Sequence, residues 1–308
     1  MTLNTIRRVG RRGILLVLVA SALTFAACGG DEAAAPRGAV EDELGFDQAG
    51  IAERQSRVEA GISDCMRAQG FDYVPIDPLA QRAAVTGAAR LSDEEFLNQF
   101  GYGISTLFGR GGAQSDPNER IRETLSPADR TAYERALWGE NVGANFAQAN
   151  DSGDFSRLGG CTKTSTEEVF GGIETLNTLV GKLDELDEQI AQDQRMVRAI
   201  EQWTACMADG GYEYEEPDDI DGDILEQFQE IVGPSVEAGS TSTSAAKPDY
   251  DQEELAKLQS EEVAIAKADL ACETQHITPV EEVVRPEYET AFREGNQQLL
   301  TRIPPPGG

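Results

Sequence analysis

Apolar residues recur at helical spacing along most of the chain. Met196, Ile200, Trp203 and Met207 follow one another at intervals of four, three and four residues, which places them on one face of a helix. Apolar residues also share one helical face in three further segments, residues 58–66, 173–190 and 255–272. No run of Val- and Ile-rich strands alternates with these segments. The pattern therefore predicts a mainly α fold with only minor extended segments.

Two strings that each begin with Cys-Met indicate an internal repeat. Residues 65–73 read Cys-Met-Arg-Ala-Gln-Gly-Phe-Asp-Tyr, and residues 206–214 read Cys-Met-Ala-Asp-Gly-Gly-Tyr-Glu-Tyr. The Cys-Met pair, the later glycine, the aromatic residue after it and the final Tyr match without a gap. Gly70 and Gly211 are placed to end a helix in the left-handed conformation. The aromatic and acidic residues that follow predict a short extended segment.

The segment between the two strings predicts a long helix that joins the repeats. The apolar spacing continues from Ile173 to Ile190, and the pattern is helical from Thr166 to Met207. The segment forms either one long helix or two helices with a break near residues 191–192.

Four short sequences predict helix N-termini. In each, a Ser or Thr is followed three residues later by an acidic residue, so that the hydroxyl can accept a hydrogen bond from a backbone N–H of the first turn. They begin at Ser92, Ser126, Ser165 and Thr278.

The first 27 residues have the features of a secretory signal peptide. Four arginines precede an apolar run from Ile14 to Phe25, which is shorter than the roughly 20 residues that span a bilayer. Ala26-Ala27-Cys28 resembles a bacterial lipobox, in which the cysteine is acylated and becomes the mature N-terminus. An ordinary secretory signal with a chance cysteine is the alternative.

The chain divides into four regions on this interpretation. Residues 1–27 are the lipoprotein signal peptide, and residues 28–46 are a flexible tether rich in Gly, Ala and acidic residues. Residues 47–190 form helical repeat 1 and residues 191–308 form helical repeat 2. The second repeat contains a disordered Ser/Thr-rich loop at about 236–250.

Four of the five cysteines are expected to form disulfides, because exported proteins fold in an oxidising compartment. Four cysteines allow three connectivities. One bridge per repeat favours Cys65–Cys161 and Cys206–Cys272, and it leaves Cys28 to carry the lipid. On the chain-entropy account each bridge stabilises the fold by roughly 4 kcal/mol.

The composition excludes several functional classes. The 308-residue chain has 26 Lys and Arg against 55 Asp and Glu, a net charge of −29, and removal of residues 1–27 with their four arginines changes it to −33. Such a chain repels nucleic acid, whose phosphates need basic residues, so no nucleic-acid partner is expected. His276 is the only histidine, which excludes a zinc site built from several histidines of one chain.

A run of acidic residues in the second repeat has the spacing of a calcium-binding loop. Asp219, Asp221, Asp223 and Glu230 stand at positions 1, 3, 5 and 12 of an EF-hand pattern. Ile224 stands where that loop requires glycine. The alternative is a helix that begins with Asp223 as its N-cap. Calcium is therefore a candidate cofactor, and no other cofactor is expected.

Catalysis and aromatic recognition are two further alternatives. No Ser or Cys nucleophile motif accompanies His276, which is predicted to lie in a surface loop. Carboxylate pairs of the kind that glycosidases use are too numerous to single out one pair. An envelope hydrolase that uses acidic residues or His276 is thus the alternative to a binding protein.

Three aromatic residues are candidates for the wall of a binding groove, namely Tyr73, Tyr214 and Trp203. The alternative is that they pack in the core.

The layout resembles uncharacterised secreted lipoproteins of high-GC Gram-positive bacteria. The resemblance rests on Cys28 after its small residues, on the repeated strings at 65–73 and 206–214, and on Ala-Asp-Leu-Ala-Cys at 268–272. It implies a lipid anchor on the extracytoplasmic face of the cell membrane, and it implies no activity. The sequence therefore predicts an envelope lipoprotein that contacts the bilayer through its acylated N-terminus. Its folded part is expected to bind or scaffold an envelope protein or ligand, without catalysis.

Overall fold

The computed structural model describes residues 39–305 except 47, 90, 111–116, 147–148, 150–152 and 234–249. The signal peptide, Cys28, the first part of the tether and almost all of the loop predicted at 236–250 lie outside the described residues. The described chain is mainly helical and contains no β-strand, which confirms the mainly α fold.

Helices follow one another with mostly short connections in both repeats. Up to the end of the first repeat they are α1 (Ala39–Leu44), α2 (Gln48–Ala68), α3 (Pro78–Thr86), α4 (Asp93–Phe100), α5 (Pro117–Thr124), α6 (Pro127–Trp138), α7 (Gly160–Phe170) and α8 (Ile173–Ala191). The second repeat contains α9 (Gln194–Asp209), α10 (Asp219–Val232), α11 (Gln252–Cys272), a π-helical turn (Glu273–Ile277) and α12 (Thr278–Leu300).

The two helices that carry the Cys-Met pairs, α2 and α9, end in the same way. In each, the N–H of the aromatic residue donates to the carbonyl oxygen of the methionine, at 3.0 Å in the first repeat and 2.9 Å in the second. Gly70 (φ +86°) and Gly211 (φ +92°) adopt the left-handed conformation that this turn requires. The chain then continues into extended segments at 71–77 and 212–214, which do not form a strand pair.

Each disulfide joins the Cys-Met helix to a later helix of the same repeat. Cys65 of α2 is bonded to Cys161 of α7, and Cys206 of α9 is bonded to Cys272 of α11. The bonded residues are 96 and 66 positions apart in sequence. The connectivity predicted from the repeat is confirmed.

A single hydrophobic core extends through both repeats. Helix α8 packs against α12, and α4 packs against α11, so elements of the first repeat lie on elements of the second. The apolar faces predicted for α2 and α9 supply much of this core through Val58, Ile62, Met66, Met196, Trp203 and Met207. Because the repeats share buried apolar surface, they form one packed unit.

The connection between the repeats is divided into three helices. The break after Ala191 lies where the sequence placed it, and Asp193 begins α9 by accepting a hydrogen bond from the Arg195 N–H. A second break, at Gly171-Gly172, was not predicted. A Cβ on Gly171 would lie 2.1 Å from the Arg302 carbonyl oxygen, so the C-terminal segment passes too close for any larger residue.

Two of the four predicted helix starts are confirmed. Ser92 and Ser126 each accept a hydrogen bond from the N–H three residues ahead. The start predicted at Ser165 is wrong, because α7 already begins at Gly160. That glycine lets α7 begin against the end of α6, since a Cβ on it would lie 2.3 Å from the Ala136 carbonyl oxygen.

The start predicted at Thr278 is also wrong, because the chain continues without a break from α11 into α12. Thr278 has helical angles (φ −50°, ψ −49°), and its N–H donates to the carbonyl oxygen of Glu273, five residues back. The two helices and the π turn form one helical run of 49 residues. His276 therefore lies in a π turn and not in the surface loop that was predicted.

The chain is packed from α1 onward, so the prediction of a flexible tether through residue 46 is wrong for residues 39–46. Val40 and Phe46 are 1% and 5% exposed, and α1 packs against α12. Arg54 of α2 donates to the carbonyl oxygens of Leu44 (2.6 Å) and Pro304 (2.8 Å). One buried guanidinium thus joins the end of α1 to the C-terminal segment of the described chain.

Candidate functional site

An open groove of about 430 Å³ lies on the second repeat. It is formed by the extended segment after α9 and by helices α10 and α11, and the Cys206–Cys272 bond fastens α9 to α11. We call it the acidic groove, because most of its lining is acidic. The lining residues are Gly211, Tyr212, Glu213, Tyr214, Glu215, Asp219, Asp223, Glu261 and Ile265.

The five carboxylates of the groove are not neutralised by basic residues of the described chain. No Lys or Arg lines the groove, and no ion pair among the described residues includes one of these acids. Four of the five side chains are exposed, and Asp223 is half-buried. Like charges at short range repel one another, and a cation that enters the groove relieves this repulsion. The electrostatics of the groove therefore favour a positively charged ligand.

Two tyrosines supply the aromatic surface of the groove. Tyr212 and Tyr214 are half-buried, and they alternate with acidic residues along the extended segment. The Tyr214 hydroxyl donates to the Asp223 carboxylate at 2.9 Å. Burial and this hydrogen bond raise the pKa of Tyr214 above its usual range, so the phenol stays neutral. Aromatic faces beside carboxylates are a common arrangement for binding organic cations.

The extended segment is held against α9 by a hydroxyl that both repeats share. Thr204 donates to the carbonyl oxygen of Glu215 at 3.1 Å. Ser63, at the aligned position of α2, donates to the carbonyl oxygen of Tyr73 at the same distance. Because the acceptor lies one residue further along in the second repeat, the two extended segments differ by one residue in their register against the helix.

Another face of α11 carries a buried polar network that fixes this helix. Asp269 accepts hydrogen bonds from the Trp203 indole N–H (2.8 Å) and from the Tyr102 hydroxyl (2.6 Å). Glu262 accepts hydrogen bonds from the backbone N–H groups of Ile104 and Ser105, both at 2.8 Å. Burial raises the pKa of both carboxyl groups. The network joins α11 to the first repeat and so sets one wall of the groove.

The four residues of the predicted calcium loop lie on helix α10, so the loop geometry of an EF-hand is not formed. The helix begins at Asp219 and not after Asp223, and the Asp219 carboxylate accepts a hydrogen bond from the Glu216 N–H (3.1 Å). Asp219 and Asp223 line the groove, whereas Asp221 and Glu230 do not. Across the described ranges, no group of three or more His, Cys, Asp or Glu is arranged to hold a metal ion. Calcium binding stays a prediction.

Asp221 shows how much negative charge surrounds α10. Partial loss of hydration, together with the charges of Asp218, Asp269 and Glu262, raises the pKa of Asp221 to about 6. The side chain keeps contact with solvent. The acidic character of α10 thus extends beyond the groove itself.

The other candidates from the sequence do not line the groove. His276 lies in the π turn after α11. Trp203 is fully buried in the core. Tyr73 donates its hydroxyl to Glu59 at 2.9 Å within the first repeat. Of the three aromatic candidates, only Tyr214 therefore lines the groove.

Several groove residues were not singled out from the sequence. Glu213 and Glu215 alternate with the two tyrosines, and this alternation is a signal that the sequence contains. Glu261 has no such signal, because it enters the groove from α11, far along the chain from the extended segment. Only the packing of α11 shows that its charge belongs to the same site.

Comparison of the chain with protein-family models, curated proteins and solved structures found no match. No helix of the described residues is long and apolar enough to cross a membrane. The fold and the groove by themselves define the class of protein: a mainly helical, disulfide-linked unit with an open acidic groove.

Proposed function

We propose that this protein is a membrane-anchored lipoprotein of the cell envelope that binds a positively charged ligand in the acidic groove, without catalysis. The observation that carries the proposed ligand class is the set of five carboxylates without basic partners in the described chain, beside the two tyrosines Tyr212 and Tyr214. The proposed location rests on the signal-peptide features before Cys28 and on the resemblance to lipoproteins of high-GC Gram-positive bacteria.

Two interactions contribute to the free energy of binding a cation in such a groove. Each exposed carboxylate adds only a few tenths of a kcal/mol, up to about 1 kcal/mol, because water screens it. A cation placed over a tyrosine face adds roughly 0.5–1 kcal/mol at an exposed site. Because much of the attraction comes from exposed charges, added salt should weaken binding.

Isothermal titration of the purified protein tests the proposal with two probes, the diamine cadaverine and the peptide acetyl-Ala-Lys-Ala-Lys-Ala-amide. At low ionic strength we expect saturable binding of at least one of them. The triple variant Glu213→Gln, Asp219→Asn and Glu261→Gln should weaken it about tenfold, because three carboxylates at about 0.5 kcal/mol each sum to one decade of affinity. The amide introduced by Asp219→Asn keeps an oxygen that can accept the Glu216 N–H.

The matched control removes three exposed acids elsewhere, through Asp72→Asn, Glu123→Gln and Glu282→Gln. This variant has the same net charge as the groove variant, and it should bind within about twofold of the native protein. Equal losses in the two variants would show that only the overall charge matters. The absence of binding by either probe would reject cation recognition altogether.

A further inference from the structure

Helix α1, which comes before both repeats, lies on α12 through contacts that are mostly polar. We infer that α1 is a strap, which docks on α12 when Glu41 or Glu289 takes up a proton and is released when both are ionised. The docking depends on contacts within the described chain, whereas its effect on the distance from the membrane rests on the proposed lipid anchor at Cys28.

One buried apolar side chain and a few polar contacts hold α1 in place. The Val40 N–H donates to Glu289 Oε1 at 3.4 Å, and Glu41 Oε1 lies 3.9 Å from a guanidinium nitrogen of Arg285. Among the described side chains of α1, only Val40 and Glu41 are buried. The burial of one valine opposes the conformational entropy that the segment loses when it is ordered. Because these opposing contributions are of similar size, a small electrostatic change can decide whether α1 is docked.

The two glutamates at this contact are buried without enough hydrogen-bond donors. Glu41 is 8% exposed and Glu289 is fully buried. No described residue donates a hydrogen bond to Oε2 of either side chain. Arg285 makes its shorter contacts with other acids, at 2.7 Å to Asp187 and 2.8 Å to Glu281. A buried carboxylate oxygen without a donor is costly, whereas a protonated carboxyl group has no charge to bury.

Acidic groups outnumber basic groups around this contact, and they come from three helices. The acids are Glu41, Asp42 and Glu43 of α1, Asp187 of α8, and Glu281 and Glu289 of α12, and the bases are Arg285 and Arg293 of α12. Burial raises the pKa of Glu41 and of Glu289, and repulsion by the neighbouring acids adds to this effect. The docked position of α1 therefore favours the protonated form of both side chains.

The direction of the pH effect follows from these raised pKa values. The docked state binds a proton more tightly than the released state, in which Glu41 and Glu289 are in water. Docking is therefore strongest below the ordinary pKa of glutamic acid, and it weakens as the pH rises through the raised values.

Release of α1 would lengthen the connection to the membrane. It would free residues 39–43 only, because Arg54 holds the carbonyl oxygens of Leu44 and Gly45. The ten residues between Cys28 and α1 would then be joined by five more, which span roughly 17 Å when extended. A rise in pH would thus let the folded unit move further from the bilayer.

Hydrogen exchange of the full chain, corrected for the intrinsic effect of pH, tests the strap. We expect α1 to be at least about tenfold better protected at about pH 5 than at about pH 8, because one unit of pKa shift changes the equilibrium tenfold. The double variant Glu41→Gln and Glu289→Gln should stay protected at both pH values. Its amides are neutral, and the amide oxygen at position 289 can still accept the Val40 N–H.

Glu43→Gln is the matched control, because it removes an exposed carboxylate of α1 that lies 3.2 Å from Arg293. This variant should keep the pH dependence of the native protein. Exchange in α9 reports the stability of the whole fold. If the double variant also loses protection in α9, Glu41→Gln alone takes its place, and its pH effect should be smaller than the native one.

Two results would overturn the strap. One is equal protection of α1 at both pH values in the native protein, and the other is a native pH dependence that persists when Glu41 and Glu289 are both amides. Either result concerns the contacts of α1 alone, so cation binding in the acidic groove and the lipid anchor would stand. Failure of cation binding would, conversely, leave the strap in place.

Discussion

Glu262 occupies a position that its residue type does not suggest. It interrupts the apolar face of α11 between Leu258 and Ile265, and it is fully buried. Both carboxylate oxygens accept hydrogen bonds from the turn at Ile104 and Ser105. Because each of these partners donates, the site fits a carboxylate and does not fit an amide. A charged residue on an apolar face therefore fastens the first repeat to the second.

We expect Glu262→Gln to lower the free energy of unfolding by about 2 kcal/mol, because the amide N–H₂ would face buried N–H donors. Asp269→Asn is the matched control. Its amide can accept from the Trp203 indole and donate to the Tyr102 hydroxyl, so the loss should be under about 1 kcal/mol. Urea denaturation followed by circular dichroism measures both. Equal losses of stability in the two variants would show that removal of the charge, and not the direction of the hydrogen bonds, causes the destabilisation.

At the scale of elements, close approaches of backbone decide where helices begin and end. Gly160 has φ +54° and lies against the last turn of α6, so α7 begins there and not at Ser165. Gly171 ends α7 where the C-terminal segment crosses it. Capping residues are visible in the sequence, whereas these contacts join segments that are distant along the chain. Local patterns therefore predicted correctly that helices begin at Ser92 and Ser126, and they failed at Ser165.

We expect Gly160→Ala to destabilise the protein by at least about 2 kcal/mol, because the left-handed conformation disfavours a Cβ and the Ala136 carbonyl oxygen blocks it. Gly181→Ala in the middle of α8 is the control. Apart from the adjacent backbone of its own helix, no atom lies within 4 Å of its added Cβ, so this substitution should stabilise the protein by about 0.5–1 kcal/mol. Thermal unfolding of both variants measures whether each substitution lowers or raises the stability of the protein. A neutral Gly160→Ala would show that α7 can shift away from α6.

At the scale of the whole molecule, the two repeats are one folded unit. Arg285 of α12 pairs with Asp187 of α8 at 2.7 Å, across the boundary between the repeats. The shared core and the Glu262 and Asp269 contacts cross the same boundary. The described residues begin with α1 at Ala39, and ten residues lie between the proposed lipid anchor at Cys28 and that helix in sequence.

We expect Cys28→Ser to release the protein from the membrane fraction without changing its fold, because one acylated residue provides the anchor. Labelling of cells with a palmitate analogue, followed by fractionation, should give a labelled membrane protein for the native chain and an unlabelled one for the variant. Label that persists in the variant, or a native protein found only in the soluble fraction, would contradict the lipoprotein assignment. Cys65→Ser is unsuitable as a control, since it breaks a disulfide.

The sequence alone determined the helical class and the repeat, and the repeat favoured one of the three possible disulfide pairings. These properties depend on spacing within short segments and on the count of cysteines. The spacing of four residues between Val58, Ile62 and Met66 identifies a buried helical face wherever that helix packs. The same reasoning predicted the left-handed glycines at the ends of α2 and α9.

The tertiary structure alone decided where the groove lies and which charges share it. Glu261 joins Glu213 and Asp219 because α11 folds back along the second repeat. The pair of hydrogen bonds between Asn118 and Val74 is likewise a contact between distant segments. Short-range spacing carries no information about such pairs. A binding surface made from several elements is therefore fixed only when the core that they share is packed.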